Sequence, residues 1–414
     1  MNFVYAALML LAAVLLVFAA ITRIGVWHIE RRNPPVGEFA IANGTRLHYV
    51  IDRAGDAADL PPIVFLHGAS GNLNDQRIAF QEKLSGRADL LFVDRPGHGW
   101  SLRGPNFNEL PDGQAATIAA LMSELGIDKA LIVGHSFGGA VAASFALNHP
   151  ERTVGTVFLS PVSHPWPGGI DWYYELTPMP VIGRIFSETL ALPFGLARIG
   201  PGTEGVFTPN KPAEDYVERT GVALVLRPWH FRANAVDVKQ LLDYVKRVSP
   251  RYSQIETPAV IITGDRDAIV LPRIHSLGLE RDLPNAELLW ISNMGHKPDY
   301  IATDLAIAAI DQGLTGRTGS AIGGDIARHW QGLRIRLRVA HIGACRPTRV
   351  LEDLQTLAVV QPVFDPVHLF RDKAPRLRRI LILDGDHAFE IIRQDPDGNV
   401  EIIPVPKCLD SFHL

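Results

Sequence analysis

One serine of this sequence stands where a hydroxyl can be turned into a nucleophile. Ser136 is the centre of Gly134-His-Ser-Phe-Gly138, which lies between an apolar run typical of a strand and a small-residue stretch typical of a helix. Glycines on both sides permit a tight turn that exposes the hydroxyl. A serine hydroxyl also needs a base within hydrogen-bond reach, and the base needs a group that holds its tautomer. Ser136 is therefore the predicted nucleophile.

The base and the acid are predicted to follow two later strands. His296 ends a Gly-His turn after an apolar run, and it is the predicted base. Asp265 and Asp267 both follow the run at 259–262. We expect Asp267 to be the acid because it directly precedes the next apolar segment, whereas Asp265 suits a turn or a helix cap. Ligands of open α/β sheets bind at the carboxyl ends of strands, where all three residues would lie.

Stabilisation of an oxyanion requires two backbone N–H donors near the nucleophile. Phe137 supplies the first, directly after Ser136. The second is expected in the loop His67-Gly-Ala-Ser-Gly71, which leaves an apolar run. Ala69 is the predicted donor, with Ser70 as the alternative.

Apolar runs separated by helical stretches predict the scaffold. Such runs occupy 63–66, 90–93, 130–133, 156–159, 259–262 and 288–291, and the segment 39–50 predicts a β-hairpin around Asn43-Gly44. Continuously apolar strands alternating with helices indicate a doubly wound α/β fold with a mostly parallel sheet.

The alternation of apolar runs and helical stretches is interrupted for about a hundred residues between Leu159 and Ala259. This interruption predicts a helical insert, a cap at about 162–252. Its aromatic residues suit either the lining of an apolar pocket or ordinary core packing, and both interpretations stay open. These residues are Trp166, Trp172, Tyr173, Tyr174, Trp229 and Phe231.

The amino-terminal segment predicts a membrane anchor. Met1 to Thr22 carry no charge, and about 22 helical residues at about 1.5 Å each cross a hydrocarbon core of about 30 Å. We expect an uncleaved transmembrane helix over 1–27 and a stiff linker over 28–37, containing Pro34-Pro35. Arg23, Arg31 and Arg32 favour a cytoplasmic catalytic domain. The alternative is a cleaved signal peptide and export, with Val17-Phe18-Ala19 as the processing site.

The carboxyl-terminal part predicts a separate unit. Glycines between 313 and 324 indicate a flexible linker, so a catalytic domain over 38–315 is followed by an extension over 316–414, whose role stays open. Residues 379–405 predict a β-meander with turns at 384–386 and 395–399; the second turn is too short for a calcium loop. Cys345 and Cys408 are expected to be buried thiols rather than a disulfide.

Composition excludes several functions. A net charge of -4 and a pI near 6.4 disfavour nucleic acid as a partner. The sequence contains no P-loop, dinucleotide-binding fingerprint, His-Glu-x-x-His or paired cysteines, so neither a cofactor nor a metal is predicted. The expected partners are a small apolar substrate and the membrane, and the oligomeric state stays open.

Together these motifs resemble the α/β-hydrolase superfamily, in the branch with a helical cap, over about residues 38–313. The resemblance implies that Ser136, Asp267 and His296 form a catalytic triad in the order known for this fold. It also implies that the turn 94–101 has no catalytic part. A serine nucleophile disfavours the dehalogenases and epoxide hydrolases, which use aspartate. The motifs concerned are His67-Gly68, Asp94-Arg-Pro-Gly-His-Gly-Trp-Ser101, Gly134-His-Ser-Phe-Gly-Gly139, Gly264-Asp-Arg-Asp267 and Gly295-His296.

The expected function is a membrane-anchored serine hydrolase that cleaves an ester-like bond of an apolar or lipid-like substrate through an acyl-enzyme. A cofactor-free peroxidase or perhydrolase, or a carbon–carbon bond hydrolase, uses the same residues and remains the alternative. A third interpretation is a ligand-binding protein without catalysis.

Overall fold

The computed structural model describes residues 2–55 and 58–312, together with three strands at 379–384, 387–394 and 400–404. The predicted linker from residue 313, both cysteines and the predicted meander turn at 395–399 lie outside the described residues, as do residues 385–386 of the predicted turn at 384–386.

An eight-stranded sheet forms the centre of the protein, as predicted. Its strand order is β1-β2-β4-β3-β5-β6-β7-β8. The first three strands of that order pair antiparallel, and all later pairs are parallel. The strands are β1 (Glu38–Ala42), β2 (Thr45–Asp52), β3 (Ile63–Leu66), β4 (Leu90–Val93), β5 (Ala130–His135), β6 (Thr153–Leu159), β7 (Ala259–Gly264) and β8 (Ala286–Ile291).

The predicted hairpin joins β1 to β2. Asn43 and Gly44 have φ values of 50° and 73°. Two successive positive φ angles match the right-handed twist of the strands, and asparagine followed by glycine accepts them readily.

Helices cover both faces of the sheet, which explains why the strands are apolar throughout. Along β3, Val64 and Leu66 belong to one buried cluster, while Ile63 and Phe65 belong to the other. Alternate side chains of a strand point to opposite faces, so both faces are apolar when both are covered. The covering helices are α2 (Leu73–Leu84), α3 (Pro111–Glu124), α4 (Phe137–Asn148), α10 (Ser276–Asp282), α11 (Pro298–Ile301) and α12 (Thr303–Gln312).

The insert between β6 and β7 is helical, as predicted. Trp166 packs against one core cluster, whereas Trp172 and Trp229 are exposed by 65% and 44%. The predicted aromatic set is therefore divided between packing and exposure. The insert contains α5 (Trp172–Leu176), α6 (Ile182–Thr189), α7 (Ala191–Phe207), α8 (Tyr216–Thr220) and α9 (Pro228–Val248).

The amino-terminal helix α1 spans Asn2–Arg32, so the expected linker over 28–37 is wrong for residues 28–32, which are helical. The second half of α1 packs on the insert, where Val26 and Ile29 join a buried cluster with Leu192. These contacts, made far along the chain, stabilise the extra turn. Within the described residues, α1 is the one helix long and apolar enough to cross a membrane.

The predicted meander corresponds to three antiparallel strands, with β10 at the centre of the order β11-β10-β9. These strands are β9 (Arg379–Asp384), β10 (His387–Gln394) and β11 (Val400–Pro404).

Candidate active site

Ser136 occupies the sharp turn between β5 and α4. Its φ of 54° and ψ of -117° place a non-glycine residue in a rarely populated region. Three hydrogen bonds hold this backbone: the Ser136 amide donates to the Leu159 carbonyl at 3.0 Å, and the Ser136 carbonyl accepts from the amides of Gly139 at 2.9 Å and Val162 at 3.0 Å. The surrounding structure thus maintains the conformation that the predicted nucleophile needs.

The glycines of the motif are required by close backbone approach. A Cβ atom at Gly138 would lie 2.1 Å from the Leu66 carbonyl oxygen, and one at Gly134 would lie 2.4 Å from the Gly138 oxygen. Any side chain at either position would separate α4 from β3 or β5 and displace Ser136.

His296 and Asp267 form a buried pair at the ends of β8 and β7. His296 Nδ1 lies 2.7 Å from Asp267 Oδ2. The other carboxylate oxygen accepts the amides of Ile269 and Val270, both at 2.9 Å. Asp267 can therefore accept a hydrogen bond from Nδ1–H of His296. In that tautomer the Nε2 lone pair of His296 is free to act as a base. Asp265 does not take part in this pair.

His135 connects the Ser136 turn to His296. The Nε2–H of His135 donates to the His296 carbonyl at 2.9 Å, and the two rings lie 4.9 Å apart. Burial lowers the pKa of His135 well below its ordinary value, with Lys297 as a second cause. A neutral His135 thus holds the His296 loop beside the predicted nucleophile.

A buried cation lies directly after His296. The Lys297 ammonium donates to Asp75 Oδ2 and Asp299 Oδ2, both at 2.9 Å. Burial raises the pKa of Asp299 to about 6, against the lowering effect of Lys297. Asp75, His135 and Asp299 are close enough to hold a metal ion, but the ammonium already supplies the cation between both carboxylates.

The loop predicted to supply the second oxyanion donor is tied to the cap. The Ser70 amide donates to Asn234 Oδ1 at 2.7 Å, and Asn234 Nδ2 donates back to Ser70 Oγ at 3.0 Å. The alternative donor, Ser70, is therefore already occupied by α9. Among the described residues, the amides of Ala69 and Phe137 have no acceptor.

Arg95 also contacts the loop that contains Ala69 and Ser70. Its guanidinium donates to the His67 carbonyl at 2.8 Å and to the Gly68 carbonyl at 2.9 Å, and it stacks over the Phe137 ring at 4.4 Å. Its remaining nitrogen contacts Asp237 on α9 at 3.4 Å. Burial lowers the pKa of Arg95 to about 10, which Asp237 partly opposes. One buried cation thus contacts both predicted oxyanion segments and the cap.

The turn 94–101 is organised by its first residue. Asp94 accepts the amides of Leu73 and Trp100, both at 2.7 Å, and contacts His48 Nδ1 at 2.6 Å. A Cβ at Gly99 would lie 2.1 Å from this carboxylate, and its φ is 48°. These contacts fix the conformation of the turn.

Sequence reasoning missed His135, Arg95, Asn234 and Lys297. His135 and Arg95 lie inside the Ser136 and Asp94 motifs, and Lys297 directly follows His296, so their position in or next to a motif could have identified them. Asn234 had none, because its contact with Ser70 joins residues 164 positions apart.

Comparison with known proteins agrees with this arrangement. The family model for the alpha/beta hydrolase fold matches residues 61–178. A 2-hydroxy-6-oxononadienedioate/2-hydroxy-6-oxononatrienedioate hydrolase of Paraburkholderia phymatum is 30% identical over 61% of this chain and 84% of its own. An sn-1-specific diacylglycerol lipase of Mus musculus is 27% identical over 58% of this chain and 76% of its own.

Another match is partial: the acetyltransferase component of an acetoin cleaving system of Cupriavidus necator is 35% identical, but only 32% of that protein is covered. Two solved structures share the fold. The enol-lactonase from Burkholderia xenovorans has a TM-score of 0.54 and 21% identity over 67% of this chain and all of its own. A membrane phospholipase A has a TM-score of 0.52 and 19% identity over 77% of this chain and all of its own.

The sheet order, the nucleophile-type turn and these relatives agree with one another. The chain therefore belongs to the family of α/β-fold hydrolases.

Proposed function

We propose that this chain is a membrane-anchored serine hydrolase that cleaves an ester-like bond of an apolar substrate. The observation that carries the proposal is the strained Ser136 turn beside the buried His296–Asp267 pair. All three residues follow strands of the parallel half of the sheet: Asp267 and His296 follow the adjacent strands β7 and β8, and Ser136 follows β5, from which β6 separates them. Ser136, Asp267 and His296 are the proposed triad, and the amides of Ala69 and Phe137 are the proposed oxyanion donors.

In the proposed reaction, Ser136 Oγ attacks the substrate carbonyl carbon while its proton passes to His296 Nε2. The developing oxyanion accepts the two backbone N–H groups. Collapse of the tetrahedral intermediate breaks the ester bond, and His296 returns the proton to the departing alkoxide. Water then attacks the acyl-enzyme, its proton goes to His296 and then to Ser136, and the acid leaves.

A carbon–carbon bond hydrolase is a second candidate, favoured by the dienedioate hydrolase among the relatives. A dianionic substrate requires cations free to receive it. The three buried cations among the described residues, Arg95, Arg227 and Lys297, already donate to protein oxygens. This favours an apolar ester, as does the diacylglycerol lipase among the relatives.

The test of catalysis is turnover of p-nitrophenyl esters of increasing chain length by the full chain. We expect Ser136→Ala and His296→Ala each to lower kcat on the order of 10³-fold or more, because triad members act as a unit. Wild type should also react with a fluorophosphonate probe, and Ser136→Ala should not. Equal labelling of both proteins would exclude Ser136 as the nucleophile, and labelling of neither folded protein would support the ligand-binding interpretation.

We further propose that α1 anchors the protein and that Arg23, Arg31 and Arg32 keep the catalytic domain cytoplasmic. The division into anchor, capped hydrolase domain and extension over 316–414 is part of this proposal. The match to the membrane phospholipase A supports the proposal, because it extends over 77% of this chain, whereas the match to the enol-lactonase extends over 67%. Carbonate extraction should leave the full chain in the membrane fraction, and release into the supernatant would exclude the anchor.

A further inference from the structure

Helix α6 of the cap exposes apolar side chains on its outer side. Val181, just before the helix, is exposed by 68%, and Ile182 and Ile185 by 60% and 44%. Gly183 and Ser187 are buried instead. A helix packed on a water-soluble domain normally buries its apolar side. This cluster of exposed apolar side chains indicates that the surface does not face water.

The exposed apolar surface continues onto α7. Phe194 and Leu196 are exposed by 61% and 48%. The Phe194 ring stacks on the ring of Phe18 in α1, at 6.3 Å between centroids. We name Val181, Ile182, Ile185, Phe194 and Leu196 the apolar cap face, and it is continuous with the candidate membrane span.

The contacts with α1 set the depth of this face. Thr22 Oγ1 donates to the Thr189 carbonyl at 2.9 Å, and Arg23 pairs with Glu188 at 2.9 Å. Arg23 is the first charged residue of the chain. About 20 residues at about 1.5 Å are needed to cross about 30 Å of hydrocarbon, so a spanning α1 needs every residue up to Thr22. The cap residues beside Phe18 and Thr22 must then lie at the edge of the hydrocarbon.

Charge agrees with this depth. Between residues 177 and 203, the charged residues are Arg184, Glu188 and Arg198. Glu188 is paired with Arg23, whereas Arg184 and Arg198 are exposed and have no ion pair among the described residues. Basic residues beside an apolar face are typical of a surface that lies in the headgroup region of a membrane.

The same cap helices lead to the site. His296 N–H donates to the carbonyl of Val206, in the last turn of α7, at 3.3 Å. The ring centroids of Phe186 on α6 and Phe231 on α9 lie 6.1 Å apart. One turn after Phe231, Asn234 accepts the Ser70 amide. The apolar cap face is thus packed through two helices onto the loops of the proposed base and oxyanion donors.

We propose that the apolar cap face docks into the lipid surface of the leaflet that α1 enters, so that the enzyme takes an acyl substrate directly from the bilayer. This inference rests on the proposed anchor and the proposed ester hydrolysis. The occupant is lipid, because the face is continuous with α1 and is flanked by Arg184 and Arg198, which have no ion pair within the described part of the chain.

Docking is tested by lipid quenching with the full chain in phosphatidylcholine–phosphatidylglycerol vesicles. A bimane label is placed by Ile185→Cys or, as control, by Glu82→Cys on α2, both in a Cys345→Ser, Cys408→Ser background. We expect doxyl lipids to quench the label at 185 at least about threefold more than the label at 82, because only the former lies within reach of the acyl chains. Equal quenching of a protein that resists carbonate extraction would exclude docking but keep the anchor.

Protection of the label at 185 from both doxyl lipids and an aqueous quencher would indicate that a second copy of the chain covers the face, and it would overturn lipid docking. Release by carbonate would overturn the anchor and the docking together.

An activity measurement tests the consequence. The combined variant Ile182→Ser, Ile185→Ser, Phe194→Ser should hydrolyse a long-chain ester dissolved in vesicles at least about tenfold more slowly, with a short water-soluble ester changed less than about twofold. The matched control Ile41→Ser, Leu102→Ser, Phe107→Ser removes apolar groups elsewhere that are at least about as exposed. Equal loss on both substrates, or no loss on either, would contradict uptake from the bilayer. Absence of turnover by wild type would refute the ester hydrolysis while the quenching result still stands.

Discussion

At the scale of single residues, the site depends on carboxylates two positions apart that have different surroundings. Asp267 receives two amides and contacts His296 Nδ1 at 2.7 Å. Asp265 Oδ1 is buried and has no hydrogen-bond partner among the described residues. Only Asp267 can therefore hold the tautomer of His296.

Asp267→Asn should lower kcat by about 10³-fold or more, because an amide nitrogen facing Nδ1 favours the wrong tautomer. The matched control, Asp265→Asn, should keep kcat within about threefold. Steady-state kinetics on one p-nitrophenyl ester measures both variants. Similar, mild effects would exclude Asp267 as the acid.

Arg95 is a positioning residue for the proposed oxyanion donors. Lysine cannot reproduce its forked contacts with His67 and Gly68, so Arg95→Lys should lower kcat about 10- to 100-fold with a smaller change in KM. Arg103 supplies the control, since it pairs with the same Asp237 at 2.6 Å. Arg103→Lys should keep kcat within about twofold. Equal losses would mean that the ion pair with Asp237, not the loop contact, matters; circular dichroism checks folding of both.

At the scale of elements, α7 connects the α1 contact to the His296 loop, yet its second half is a weak helix. It contains Gly200, Pro201, Gly202 and Gly205. Proline removes a backbone donor, and glycine adds conformational entropy to the unfolded chain. The helix is therefore maintained by its contacts with neighbouring elements rather than by its own propensity.

Gly202→Ala should raise the free energy of unfolding by about 0.5–1 kcal/mol, because its Cβ would meet open space and its φ is not positive. Gly183→Ala on α6 is the contrasting variant. Its Cβ would lie 2.1 Å from the Thr177 carbonyl oxygen, so it should destabilise the protein. Denaturant titration of both variants checks the prediction, and a destabilising Gly202→Ala would contradict it.

At the scale of the whole molecule, burial keeps several of the described histidines neutral, including His275, whose pKa burial lowers to about 4. Desolvation is the largest cause of the strongly lowered pKa at His67, His98, His135 and His230. The unfolded chain binds protons at these positions below about pH 6.5, whereas the folded chain does not. Their stabilising contribution is therefore present above the unfolded pKa and is lost as the pH falls. Asp299, with its pKa raised to about 6, opposes this trend between about pH 4 and 6.

The free energy of unfolding should fall steeply from pH 7.5 to 5.5, by up to about 1.4 kcal/mol per pH unit for each histidine. His230 tests this, since neither ring nitrogen has a hydrogen-bond partner among the described residues. His230→Leu should reduce the slope by about one proton, as measured by denaturant titration at several pH values. An unchanged slope would contradict a buried neutral His230.

The strands, the Asn43-Gly44 hairpin and the turn at Ser136 were predictable from the sequence. Each depends on neighbouring residues: the apolar pattern, the turn chemistry, and glycines flanking one serine. The cap was predictable as an interruption of that pattern. The predicted linker failed at residues 28–32 because the charges there, which suggested exposed chain, are held in a helix by contacts such as Glu30 with Arg227.

The sequence alone determined which residue types are available for catalysis and that each predicted triad member follows a strand. Only the tertiary structure decided that Asp267 rather than Asp265 meets His296, that Asn234 occupies the Ser70 amide, and that α1 packs on the cap. These are contacts between segments distant along the chain, formed when strands and helices pack. Their partners are set by long-range geometry, which no local pattern encodes.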